Sequence, residues 1–252
     1  MADVITNALE TYTKHAQLLL ISSISFVIAI LIPIFAAFPT YTAMGGIYLR
    51  TASIFSNLTV LNTAVIVVSV FFSLLFISFA MVAINIIVKH SRTYAKIRQE
   101  VFRGLEKYTS RVFVVLLILE TIIILANALS FAVTNSTLWS GALTAIVGLI
   151  ISPFFFYAPA SIIIDEKNTP RAMVASFRFF FKRFDYVILW LAISIVLITV
   201  FDFVFVAIGN AAPTIAYLLQ IVELIIVTVI LLPFLIVLQS ESYMKRFAML
   251  KH

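Results

Sequence analysis

The sequence predicts an all-α polytopic membrane protein, a bundle of six transmembrane helices with basic amphipathic helices on its cytoplasmic side. Three observations carry that prediction. Hydrophobic residues fill 63% of the 252 positions and charged residues 11%, against about 45–50% and about 25% in an ordinary soluble domain. Six apolar stretches are each long enough to cross a hydrocarbon core about 30 Å thick, which takes about 20 residues at about 1.5 Å of rise. The seventeen Lys and Arg residues gather almost entirely on alternate connections between those stretches. Cysteine is absent, which excludes disulfides and thiolate metal sites.

The first stretch, 17–38, follows a leader that carries Asp3, Glu10 and a single Lys14. That leader is not the basic segment of a secretory signal, and the apolar run exceeds a signal core, so it reads as a retained span. The connection 39–62 holds Tyr41, Gly45, Gly46, Tyr48, Leu49 and Phe55, a mixture suited to the membrane interface or to a segment dipping back under protein cover. The second span is 63–88. Spans three and four, 112–133 and 141–163, form one tight hairpin; spans five and six, 186–208 and 215–238, form another. The whole chain reads as one six-span domain. Three hairpins, each followed by a basic aromatic segment on the inner side, hint at an internal repeat.

Orientation follows from charge, because basic residues near span ends stay on the cytoplasmic side. Seven lie in 89–111, five in 165–185, three after Leu238, and Lys14 precedes the first span; only Arg50 falls on the opposite side. An even number of spans then places both termini in the cytoplasm, with the cell membrane as the expected location. The sequons at Asn57 and Asn135 fall in outer connections, in keeping with this orientation.

Within 89–111, Tyr94, Ile97, Val101, Leu105 and Tyr108 recur at helical spacing, with Arg92, Lys96, Glu100, Arg103 and Lys107 opposite. This is an amphipathic helix expected to lie along the inner leaflet or cap the bundle. In 165–185, Thr169 and Pro170 read as helix cap and first helical residue. Arg171, Arg178 and Lys182 share a face of the helix that follows, Arg183 ends it, and Met173, Val174, Phe177, Phe180 and Phe181 supply an apolar surface. The eight candidate contacts for anionic lipid headgroups are therefore Arg92, Lys96, Arg103, Lys107, Arg171, Arg178, Lys182 and Arg183.

The run from Tyr157 through Ala158, Pro159, Asp165, Glu166, Thr169, Pro170 and Ser176 into Phe177, Arg178, Lys182, Arg183 and Trp190 resembles the membrane domain associated with glycerophosphodiester phosphodiesterases. In that family a span ends in an acidic turn, a short helix bearing a Ser follows, and a basic aromatic patch leads into the next span. The resemblance covers about 40 residues. It implies a helical membrane module with no catalytic residues to carry over, because the family's phosphodiesterase activity belongs to a separate soluble domain.

Three carboxylates fall inside spans: Glu120 in the third, Asp202 in the fifth and Glu223 in the sixth. Intramembrane ionisable groups are costly and mark functional sites by default. At about 1.5 Å per residue, Asp202 lies about 9 Å and Glu223 about 12 Å from the outer ends of their spans, a depth at which the two can meet. Glu120 lies about 12 Å from the inner end of its span. Such a spread suits a proton or cation relay; the alternative is that Asn85, Asn127, Ser130, Thr121 or Thr199 satisfy the acids and pin helices together. Pro153, Pro159 and Pro233 interrupt spans four and six, either as kinks or as broken helices around a substrate path.

Catalytic and metal signatures do not appear. His15, His90 and His252 stand apart, with no ligand pair at helical spacing, and no glycine-rich phosphate loop is present, so no cofactor is expected. The basic residues follow the topology rule and require no nucleic acid. The expected function is a non-enzymatic membrane module that organises lipid, chiefly anionic, or a membrane protein partner, including a second copy of the chain. The alternative is a proton- or cation-coupled small-solute transporter using Glu120, Asp202 and Glu223. An enzymatic action on lipid would need an inner-surface pocket that joins His90 to a carboxylate.

Overall fold

The computed structural model describes residues 2–35, 60–91, 97–134, 136–211 and 216–248. The connection 39–59, both sequon asparagines, Arg50, Arg92, Tyr94, Lys96 and His252 lie outside the described residues. All described elements are helical: α1 (Ala2–Lys14), α2 (Ala16–Phe35), α3 (Val60–His90), α4 (Ile97–Thr134), α5 (Thr137–Phe155), α6 (Ala158–Ile164), α7 (Thr169–Lys182), α8 (Phe184–Ala211), α9 (Ala216–Ile226) and α10 (Leu232–Ala248), the last two joined by a π-helical turn, Val227–Leu231. Among the described residues, five helical segments are long and apolar enough to cross a membrane, or six if the bent pair α1 and α2 counts as one span. The protein is an all-α multi-pass membrane bundle.

The leader is a helix in its own right. α1 meets α2 at 88° and buries Val4, Ala8 and Thr11 against α10. Their spacing of four and three residues is the apolar stripe that seats a helix on a neighbour. The chain beyond Leu238 likewise continues as α10 to Ala248, and Lys245 Nζ reaches Asp3 Oδ2 at 3.0 Å, tying the two ends of the described chain together.

The amphipathic segment, expected along the inner leaflet or as a cap on the bundle, is not a separate helix. It is the inner part of α4, which runs unbroken from Ile97, about 57 Å long at about 1.5 Å per residue and so longer than a hydrocarbon core is thick. Its apolar face turns into the protein, with Tyr108 and Val112 buried against Val82 and Ile86 of α3. Gly104 permits the approach: a Cβ there would overlap the Ile86 side chain. Arg103 and Lys107 remain exposed on the opposite face, as the charge pattern predicts.

Around the bundle, α2 packs on α3, α3 on α4 and α4 on α5, while the turn before α10 packs on α2 and α10 itself packs on α3. α8 sits at the edge. Its inner end is held by Trp190, whose Nε1 donates to the Leu235 carbonyl at 2.8 Å; beyond, Ile195 and Phe203 are 62% and 74% exposed. Among the described residues, α5 and α8 are not packed together along their lengths.

Gly104→Leu is expected to destabilise the protein by about 1–3 kcal/mol through overpacking. Gly148→Ala, where nothing lies within 4 Å of the added carbon, is expected to be neutral or to gain up to about 1 kcal/mol of helix propensity. Thermal unfolding in detergent compares them.

Candidate functional site

The fourth span breaks at Phe156 and Tyr157, between α5 and α6. Pro153 and Pro159 flank the break; Pro153 has no N–H for the helical ladder, while Pro159 sits in the first turn of α6, where a missing donor costs nothing. A broken helix inside a membrane protein leaves polar backbone groups that no solvent can reach, each costing several kcal/mol if unpaired. Side chains from two other elements take them up. Ser176 of α7 donates to the Pro153 carbonyl at 2.8 Å and accepts from the Tyr157 N–H at 2.9 Å, and Gln239 of α10 donates to the Phe156 carbonyl at 2.5 Å.

This requirement rearranges α7. The helix turns Ala172, Ser176, Phe179 and Phe180 inward and leaves Val174 and Phe181 exposed, so its broad apolar surface is shared between the protein interior and the outside. Asn168, not Thr169, occupies the cap position; the Thr169 hydroxyl instead donates to the Arg111 carbonyl of α4 at 3.3 Å. Around the break, Tyr157 packs edge-on to Phe179, and Phe156 packs edge-on to Trp190, with ring centroids 4.8 and 4.9 Å apart.

The short helix α6 is buried from Ala158 to Ile163 and touches α3, α4, α5, α7 and α10. The acidic turn after it fastens the inner ends of the helices. Asp165 Oδ2 accepts from Tyr243 at 2.7 Å and from Lys167 at 2.7 Å. Glu166 accepts from Lys107 of α4 at 2.7 Å and from Lys89 of α3 at 3.1 Å, and Lys89 also donates to the Ile163 carbonyl at 2.9 Å. Glu166 has φ of 56°, a left-handed backbone that residues other than glycine rarely adopt. Lys107 first, then Lys89 and the Tyr108 hydroxyl, hold its carboxyl down to about 2 from an ordinary 4.5.

Two spaces adjoin this layer. At the end of the bundle that carries the acidic turn, a polar pocket of about 220 Å³ is lined by Lys89, His90, Glu100, Arg103, Lys107, Tyr108 and Glu166, among others. It joins His90 to two carboxylates, the juxtaposition that a lipid-modifying role requires. Deeper in the bundle, an apolar groove of about 690 Å³ runs along α5 from Gly141 through Gly148 to Phe155, walled by Met81, Leu116, Leu119 and Ile123. Its inner end is closed by Phe156, Pro159 and Gln239, the residues of the break.

Of the three intramembrane acids, α8 and α9 bring the side chains of Asp202 and Glu223 beside each other. Glu120 stands apart, because α4 is packed against neither α8 nor α9. Each of the three has a carboxyl oxygen with no partner among the described residues. Three of the five groups expected to satisfy them bond elsewhere: Ser240 donates to Asn85 Oδ1, Asn127 to Thr144, and Thr121 to the Leu117 carbonyl. None of the three acids lines the groove. Of the remaining headgroup candidates, Arg171, Arg178 and Lys182 lie exposed on α7, while Arg183 pairs with Asp185 at 3.2 Å and covers the Tyr186 ring.

Sequence reasoning missed Ser176, Gln239 and Tyr243 as structural donors, and missed Glu241, a 1% exposed carboxyl that accepts from Thr11 at 3.0 Å. One signal was present: Pro153 and Pro159 bracket four consecutive aromatic residues, a break that needs donors from elsewhere. No family model matches the chain, and neither does any curated protein or solved structure.

Ser176→Ala leaves the Pro153 carbonyl and the Tyr157 N–H unpaired and is expected to cost about 1–3 kcal/mol for each; Ser176→Thr, which keeps the hydroxyl, is expected to recover part of that loss in thermal unfolding. The depressed Glu166 carboxyl stabilises the fold fully above about pH 4.5, a contribution lost as pH falls through about 2. Glu166→Gln should therefore flatten the fall in melting temperature across that window, modestly, since the group is half exposed.

Proposed function

We propose that the protein is a non-enzymatic integral membrane module that binds lipid, seating an acyl chain in the groove along α5 beneath a basic inner face. The groove itself carries this reading. It is long, nearly all apolar and lies between α4 and α5, with Thr144, Ser152 and Gln239 as the polar members of its wall. Apolar clefts of several hundred Å³ with a few placed polar groups are what ligand sites look like. At membrane depth the ligand at hand is a lipid chain.

The inner face supplies the other half of a lipid. Arg103, Lys107, Arg171, Arg178 and Lys182 are exposed, and each basic residue near an anionic surface contributes about 1 kcal/mol of attraction. This orientation, with both termini in the cytoplasm of a cell-membrane protein, is the one the positive-inside rule supports. The resemblance to the phosphodiesterase-associated membrane domain is in keeping with a module that lacks chemistry of its own. The inner pocket favours binding over catalysis as well. His90 Nδ1 faces the Ile86 carbonyl of its own helix at 3.1 Å, and Glu166 is held ionised by two lysines, which leaves it a poor general base.

A second reading, proton- or cation-coupled transport, is favoured by one observation, the placing of Asp202 beside Glu223 and the unpartnered oxygen on each.

Filling the groove with Gly148→Phe is expected to lower the lipid retained by the purified protein severalfold, measured by mass spectrometry of extracted lipids; unchanged retention would sink the lipid-groove reading. Proton and sodium flux into liposomes containing the wild type, Asp202→Asn, Glu223→Gln and Glu120→Gln tests the second. Flux that the wild type supports and the pair variants abolish would establish it, and no wild-type flux would remove it.

A further inference from the structure

We propose that the inner-surface pocket between α3, α4 and the acidic turn is a phosphate-binding site, and that the Glu166 carboxylate occupies the phosphate's place when the site is empty. The proposal deepens the lipid reading by naming headgroup chemistry, and rests on that reading only for the source of the phosphate. Lys89, Arg103 and Lys107 face the pocket with His90, against Glu100 and Glu166. Three permanent cations thus oppose two carboxylates, and moving Glu166 aside leaves three against one.

The geometry around Glu166 is that of a removable anion. Its two oxygens are divided between two lysines on different helices, Lys107 at 2.7 Å and Lys89 at 3.1 Å, a spacing of donors that a phosphate's several oxygens satisfy equally well. Its side chain is half exposed, so the way out to water is short. Its backbone is in the left-handed region, so release of the carboxylate from the lysines removes the contacts that hold an unfavourable conformation. The cations would not follow it. Lys89 remains anchored by the Ile163 carbonyl at 2.9 Å, and Lys107 lies over the Tyr108 ring at 4.9 Å. Arg103 has only a long 3.5 Å contact with Glu100 and is 69% exposed along its side chain, which leaves its guanidinium able to turn onto an incoming anion.

The same phosphate chemistry has two sources, an anionic lipid headgroup and phosphate in solution. The full chain in phosphatidylcholine nanodiscs separates them, with inorganic phosphate titrated by calorimetry in one arm and phosphatidic acid added to the disc and followed by native mass spectrometry in the other. Glu166→Gln, which removes the competing charge, is expected to raise affinity about fivefold in the arm that binds, and Arg103→Gln to lower it by a similar factor. Binding in the lipid arm alone assigns a headgroup, and binding to inorganic phosphate assigns a soluble ligand; absence of binding in both overturns the proposal, as does unchanged or weakened binding in a folded Glu166→Gln. If that variant does not fold, Arg103→Gln decides, since it leaves both lysine contacts of Glu166 intact: unchanged affinity overturns the site. Gly148→Phe should leave phosphate affinity unaltered, so a failed groove and a failed pocket give different results.

Discussion

The structure depends on satisfying the backbone at the break between α5 and α6. In lipid an unpaired amide or carbonyl costs several kcal/mol, and an interrupted span presents such groups where no water reaches. Ser176 and Gln239 take up three of them from two other elements. For Ser176 to reach, α7 must lie against the bundle with that face inward; for Gln239 to reach, α10 must pass beside Phe156. The positions of α7 and α10 are thus set by hydrogen bonds to one interruption, and the aromatic cluster of Tyr157, Phe179 and Tyr243 fills the space those bonds create.

From that junction the molecule divides into unlike halves. Toward the inner side, polar contacts link distant parts of the chain: Thr11 with Glu241, Asn85 with Ser240, Lys89 and Lys107 with Glu166, and Tyr243 with Asp165. Toward the outer side, α8 shows lipid most of its apolar surface and the groove opens along α5. Elements with few buried contacts open at lower free energy than those in a cross-linked core. The groove lies above the cross-linked layer, with Phe156, Pro159 and Gln239 of the junction lining one end of it.

The membrane class, the stretches near 63–88, 186–208 and 215–238, and the exposure of Arg103 and Lys107 were legible because each follows from residues near one another in sequence. Asp202 and Glu223 were legible as a pair for a similar reason, since they face each other across a short hairpin and depth can be counted in residues. Glu120 was legible as a buried acid, but nothing local says that α4 stays clear of α8 and α9. Whether the inner part of α4 lies along the leaflet or against the bundle stayed open, because an amphipathic stripe looks the same whether lipid or protein covers it; the contact that decides is Gly104 against Ile86, residues on different helices. α1 and the end of α10 were read as an arm and a tail because their low hydropathy hides that each seats the other.

The sequence by itself determined that the chain crosses a membrane on helices and which faces carry its charge, because hydropathy and charge are sums over neighbouring residues and lipid tolerates only backbone that is satisfied within its own helix. Only the tertiary structure decided where a span could break, which anion two lysines hold, and where the groove lies. Those outcomes depend on partners far apart in the chain: Ser176 for Tyr157, Gln239 for Phe156 and Glu166 for Lys89. No local pattern encodes such pairings, because each polar group's cost is settled by whichever distant side chain the fold delivers to it.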